Sequence, residues 1–173
     1  MRIGGIGMKD VFLVYGKSCF YEIVILNYFM SFSNCDMVFC SLDGKSVRAM
    51  EGFSVNVDMP LEALDKEQIR SFILPGGNIS EIDTPEVKAY LQALMEREIL
   101  IAGICAGVDV LDHAGILCDV KSTHSSDADL ITDKNVITAR ANAYVDFAVE
   151  VAKKLDLFAS EDDLQETINF WKH

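Results

Sequence analysis

The sequence predicts a doubly wound α/β fold, one mostly parallel sheet covered by helices on both faces. Three observations predict it. Short continuous apolar runs that stop at glycine, as in "VFLVYG" and "SFILPGG", are the signature of strands buried on both faces. Segments of helical periodicity lie between them, the alternation that builds right-handed strand-helix-strand crossovers. And "ILIAGICAGVDVL" sets an apolar strand against a small-residue turn that opens a helix, with one thiol, Cys105, at the corner. At 173 residues the chain fits a single domain spanning 1–173, which removes about 70% of its unfolded surface from water without needing disulfides.

Residues 1–9 read as a flexible leader. The glycine cluster of "MRIGGIG" precedes the first strand, whereas a dinucleotide-binding loop follows one, and no apolar stretch or cleavage site marks a signal peptide. Either Met1 or Met8 begins the ordered chain. The first strand is expected over 11–15, and a helix over 20–30 that is apolar nearly all round and so buried beyond one face. "MVFCSL" (37–42) reads as the second strand, and the stretch after it as short strand pieces around Gly52 that end in a loop at Met59 and Pro60. "SFILPGGNI" (71–79) is a buried strand running into the turn of Pro75, Gly76 and Gly77. Thr84 is placed to cap the next helix, Pro85 suits its first position, and Val87, Leu91 and Leu94 share a face. A strand at 99–102, the Cys105 corner and a helix over 106–113 follow. "VITA" (136–139) is a late strand, after which Val145, Ala148, Val149, Ala152 and Leu155 mark one helical face. A C-terminal helix over 161–173 places Leu164, Ile168 and Trp171 on one stripe.

The formal charge is −12, from 15 Lys and Arg against 27 Asp and Glu, a sign that repels nucleic acid and anionic membrane surfaces. The apolar runs are well short of the roughly 18 residues that suggest a membrane span. Five cysteines, without a C-x-x-C pair, suit neither a zinc site nor a disulfide framework and point to a reducing, cytoplasmic setting. Cys19, Cys35, Cys40 and Cys118 read as small buried hydrophobes.

Cys105 reads differently. A helix N-terminus places partial positive charge and free N–H groups beside a thiolate, so this thiol is expected to be the most acidic and most oxidisable of the five. The N–H of Ala106, with one from Gly76 or Gly77, would form an oxyanion hole, and these strand ends would converge on one pocket. Glu22, the one acid within residues 11–30, lies in a strongly apolar helix where a buried carboxyl needs a partner.

Taken in order, "FILPGGN", "IAGICAG", "KSTH" and "VITARANAYVDFAVEVAKKL" resemble the ThiJ/PfpI superfamily, over about residues 11–155. The resemblance implies a flavodoxin-like three-layer sandwich, commonly homodimeric, with a reactive cysteine at a nucleophile elbow. It assigns Cys105 to the elbow, Gly77 and Ala106 to the flanking amides, Glu22 to the acid beside the sulfur, and His124 to a proton shuttle. Gly76, Asn78, Arg140, Asn142 and Tyr144 become pocket residues. The protease-like branch has histidine directly after the cysteine, where this chain has Ala106, and that argues against proteolysis. "RANAYVD" replaces the glycine-rich loop of the deglycase branch, so substrate does not transfer from it.

The expected function is a cysteine-dependent enzyme, lyase or hydrolase, acting on a small electrophile in the manner of a glyoxalase, deglycase or hydratase, with no metal or organic cofactor. Cys105 would add to the electrophilic carbon and Glu22 would move protons. A class I glutamine amidotransferase shares the G-x-C-x-G elbow but needs a late H-x-E, which none of His113, His124 and His173 begins. The alternative is a redox sensor or binding protein of oxidative stress whose Cys105 is oxidised rather than turned over.

Overall fold

The computed structural model describes residues 7–173, so positions 1–6 of the expected leader lie outside the described residues. In chain order the strands are β1 (Lys9–Leu13), β2 (Asp36–Ser41), β3 (Val47–Arg48), β4 (Ser54–Val55), β5 (Met59–Pro60), β6 (Ile69–Leu74), β7 (Leu100–Ile104), β8 (Leu130–Asp133) and β9 (Val136–Ala139). The helices are α1 (Val24–Phe32), α2 (Pro85–Glu96), α3 (Ala106–His113), α4 (Tyr144–Lys154) and α5 (Glu161–Lys172).

Seven strands form one sheet in the order β5-β2-β1-β6-β7-β9-β8, parallel throughout except for β8, and β3 with β4 makes a small separate hairpin. The double cover that the apolar runs predict is visible within single strands. Val11 and Leu13 of β1 enter one core, which also holds residues of α2 and α3, while Phe12 enters the other, with residues of α1 and α4. Phe72 and Ile73 of β6 divide in the same way, as do Ile101 and Ala102 of β7. A parallel strand between two helical layers has no polar face, and these runs have none.

At the amino end of the sheet, Asp10 is fully buried and held by Arg70 and Ser71 of β6, the latter hydroxyl donating at 2.6 Å. That pairing explains why β1 begins at Lys9, inside the expected leader: Lys9 pairs in register with Asp36 and closes a 3.1 Å salt bridge to it.

The expected continuous helix over 20–30 is broken. Phe20–Glu22 forms a 3₁₀ turn, Ile23 departs from helical geometry, and α1 runs from Val24. Met59 and Pro60, expected in a loop, pair instead with Cys40 and Ser41 as an edge strand. Proline is tolerated there because an edge leaves N–H positions unpaired. Strand β8 has no counterpart in the sequence reading: all four of its residues are half-buried, so no apolar run marks it. Thr84 caps α2 as expected, accepting from the Val87 N–H at 3.3 Å.

Candidate active site

The chain leaves β1 to one side for β2 and returns to its other side as β6, so the strand order reverses between them. Ligands of open α/β sheets bind beyond the carboxyl ends at such a reversal. The three segments that leave these ends are 14–22 after β1, 75–78 after β6 and the Cys105 corner after β7. They are joined directly: Cys19 N–H donates to the Gly76 carbonyl at 2.8 Å, Asn78 N–H to that of Lys17 at 3.2 Å, and Ser18 bridges Gly77.

Cys105 is the N-cap of α3 with φ 55° and ψ −129°, a strained conformation for a side-chain-bearing residue. Its N–H is held by the Ala139 carbonyl of β9 at 2.9 Å. Two glycines permit this corner. A Cβ on Gly107 would collide with the carbonyl oxygen of Leu74, and one on Gly76 would lie 2.7 Å from Cys105 Cβ and 2.9 Å from its Sγ. The half-buried thiol therefore rests on bare backbone of the 75–78 turn.

Glu22 is 1% exposed. Its Oε2 accepts the Gly76 N–H at 2.7 Å, while Oε1 is buried without a hydrogen-bond partner of good geometry, although Cys105 and Tyr21 lie close enough to act on the carboxyl. Burial raises the pKa of Glu22, opposed by the Gly76 N–H. Burial also pushes the Cys105 thiol up to about 11, reinforced by the Glu22 charge and opposed by the Ala106 N–H. The expectation of an acidic thiol is therefore corrected: the amide at the helix start does lower the pKa, but desolvation and the carboxylate outweigh it. Both members are raised, and burial, the largest cause in each, favours their protonated forms.

The structure brings Cys105, Glu22, Gly76, Gly77 and Ala106 together. Gly76 differs from expectation, since its N–H is engaged by Glu22 rather than free. Asn78 turns away: its Oδ1 accepts from the N–H and hydroxyl of Ser80 and caps a short turn. Arg140 and Asn142 are exposed and tied to Asp129, with Asn142 Nδ2 at 3.2 Å and the Arg140 guanidinium at 3.6 Å from the carboxylate. Tyr144 packs edge-on to Tyr21 at 5.7 Å and so borders the site through it. His124 is held at 3.0 Å by Asp109 and 3.3 Å by Asp112, both on α3.

Tyr15 and Tyr21 carry no site assignment from the sequence, and Cys19, expected as a small buried hydrophobe, is half-buried beside the site, as Cys35 is half-buried and Cys118 exposed elsewhere. Tyr15, fully buried, donates its hydroxyl to the Pro75 carbonyl at 2.7 Å and fixes the turn beneath the thiol. Tyr21 and Cys19 both flank Glu22, burial first and then the Glu22 charge raising the pKa of each. The signal available was adjacency, since both fall within three residues of Glu22 on the same turn.

The model of the DJ-1/PfpI family matches residues 9–154. The chain is 30% identical over 146 residues to a Bacillus subtilis protein named as an uncharacterized protease, covering 72% of this chain and 69% of that one. It is 24% identical over 152 residues to a protein of Pyrococcus horikoshii named as a deglycase, covering 79% and 92%. Among solved structures, a DJ-1 superfamily protein of Agrobacterium tumefaciens superposes with a TM-score of 0.84 at 26% identity, over 94% of this chain and 98% of that one.

Proposed function

The chain belongs to the DJ-1/PfpI family, and on that premise we propose that it is a cysteine-dependent enzyme acting on a small electrophile of the α-oxoaldehyde type, in the manner of a glyoxalase or deglycase. The observation that carries this reading is the placement of the Cys105 thiol, at the strained start of α3, beside the buried carboxyl of Glu22, whose Oε1 lacks a partner. A substrate carbonyl entering beside Sγ gives the pair its use. The Cys105 sulfur, its proton passed to Glu22, bonds to the aldehyde carbon. The carbonyl electron pair moves onto oxygen, which the Ala106 and Gly77 N–H groups would stabilise, and that oxygen then takes the proton from Glu22. Glu22 is left as a carboxylate, ready to act as base in the step that follows. The deglycase name of the Pyrococcus relative supports this chemistry. Ala106 in place of histidine after the nucleophile weighs against the protease name of the Bacillus one.

The test is turnover of methylglyoxal and phenylglyoxal by wild type, Cys105→Ser and His124→Ala. The serine variant keeps the shape of the site but loses turnover, because an alcohol in this position has a far higher pKa than a thiol. His124→Ala keeps kcat within a few-fold, since its ring is bound to Asp109 and Asp112; a positioned proton-transfer group would cost about 10²–10⁴-fold. Full activity in Cys105→Ser ends the covalent mechanism. An inactive wild type ends the enzyme reading in favour of an oxidisable thiol.

A further inference from the structure

We propose that Cys19 is the resolving thiol of Cys105: once peroxide has oxidised Cys105, Cys19 closes an intrachain disulfide with it. This goes beyond the enzymatic reading and does not require turnover.

The two cysteines come from segments 86 positions apart in sequence, yet both are built onto Gly76. Cys19 donates its N–H to the Gly76 carbonyl at 2.8 Å, and the space where Gly76 lacks a side chain lies 2.9 Å from Cys105 Sγ. Both thiols are half-buried, whereas Cys40 is buried within the core and Cys118 is exposed. Cys35 is committed elsewhere, its sulfur 3.3 Å from the Arg70 guanidinium at the opposite end of the sheet. Glu22, 1% exposed and with Oε1 lacking a partner, neighbours both, its charge acting on each thiol, and offers a buried oxygen to take up or give a proton. Charge on Cys19 also acts on the Cys105 thiol, the mark of two groups in one site.

The chemistry balances with a peroxide as the oxidant. The Cys105 sulfur attacks one peroxide oxygen, the O–O bond breaks, and the sulfur becomes a sulfenic acid while the other oxygen leaves as water or alcohol. Cys19 then passes its proton to Glu22 and attacks the sulfenyl sulfur. The S–S bond forms as the S–O bond breaks, and the departing hydroxide takes the proton from Glu22 and leaves as water. Two thiols are oxidised and one peroxide reduced. The disulfide spares Cys105 from the sulfinic acid that a sulfenate without a partner reaches under further peroxide.

The experiment treats the reduced, full-length protein with one equivalent of hydrogen peroxide, blocks remaining thiols with N-ethylmaleimide, and maps the peptides without reduction. The expected result is joint loss of the Cys19 and Cys105 thiols, a cross-linked peptide pair containing both, and a product that runs as a single chain on a non-reducing gel. Dithiothreitol restores both thiols. In Cys19→Ser the cross-link is lost, dimedone captures more sulfenate at Cys105 than in wild type, and excess peroxide carries Cys105 to sulfinate. The wild-type map decides the matter even where that variant folds poorly. Sulfinate at Cys105 with Cys19 still free overturns the proposal, as does pairing of either cysteine with Cys35, Cys40 or a second chain. Because no substrate is involved, these outcomes are separate from success or failure of the glyoxal assay.

Discussion

Glu22 shows how a single residue sets stability against chemistry. A carboxyl with one oxygen unsatisfied in the interior is a poor contributor to folding, and its raised pKa states the same fact in another form. A group whose folded pKa is raised contributes stability that is complete below its unfolded value, near the ordinary 4.5, and lost as pH rises through the folded value. Glu22→Gln, which does not titrate, should therefore melt with wild type in acid and above it at neutral pH. The gap at neutral pH then reports how far folding raises the Glu22 pKa. Burial does most to push the Cys105 thiol up to about 11 and the Glu22 charge adds to it; the same substitution removes that charge, so the pH midpoint of Cys105 alkylation should fall. Thermal melts across pH and iodoacetamide rates measure the two effects. An unchanged alkylation profile would mean that the pair does not interact.

At the scale of elements, the corner between β7 and α3 is a set of close approaches that only glycine permits. A methyl group on Gly107 meets the backbone oxygen of Leu74, which cannot yield, whereas one on Gly103 meets Leu111 Cδ1 at 2.8 Å, the free end of a side chain. Gly107→Ala should thus cost more than the roughly 1–3 kcal/mol of ordinary overpacking and slow Cys105 alkylation, while Gly103→Ala should fall at or below that range. Urea unfolding of both variants checks the order.

The same elements show what the sequence makes legible. Runs such as "VFLVY" and "ILIA" locate the central strands because burial on both faces leaves no polar position, and the glycines about Cys105 locate the corner. Glu22 is legible only as an acid in apolar surroundings. What turns it inward is the break at Ile23, where a 3₁₀ turn gives way to α1, and no proline or glycine announces that break. Strands β5 and β8 escape notice because edge strands are short and half-exposed. The partners of Asn78, Arg140, Asn142 and His124 lie on nearby turns and helices, and polar loop residues carry no pattern that says which neighbour they will bond.

For the whole molecule, the open question is what covers α1. The stripe of Leu164, Ile168 and Trp171 is used within the chain: Leu164 is buried, and the Trp171 ring lies edge-on to Tyr28 and Phe29 at 5.7 and 5.9 Å. What remains outside is an apolar face on α1, with Val24 51%, Tyr28 53% and Phe32 67% exposed, spaced four residues apart, and Phe170 of α5 beside it at 78%. Among the described residues no helix is long and apolar enough to cross a membrane. A second copy of the chain, related by a two-fold axis near α1, would cover it. Such a dimer must join two bodies of formal charge −12, so burial of apolar surface has to exceed their repulsion. The consequence is a salt dependence of definite sign. Raising ionic strength shortens the screening length from about 10 Å at 0.1 M to about 3 Å at 1 M. The repulsion is thereby weakened and the apolar contact is not, so dimerisation should tighten as salt is added. Sedimentation velocity at micromolar concentration should show a dimer that strengthens in this way, and a Tyr28→Asp, Phe32→Asp double variant that sediments as a folded monomer. Salt-induced dissociation would mean that charge pairs rather than α1 hold the copies together, and a wild-type monomer at every salt concentration would remove the interface altogether.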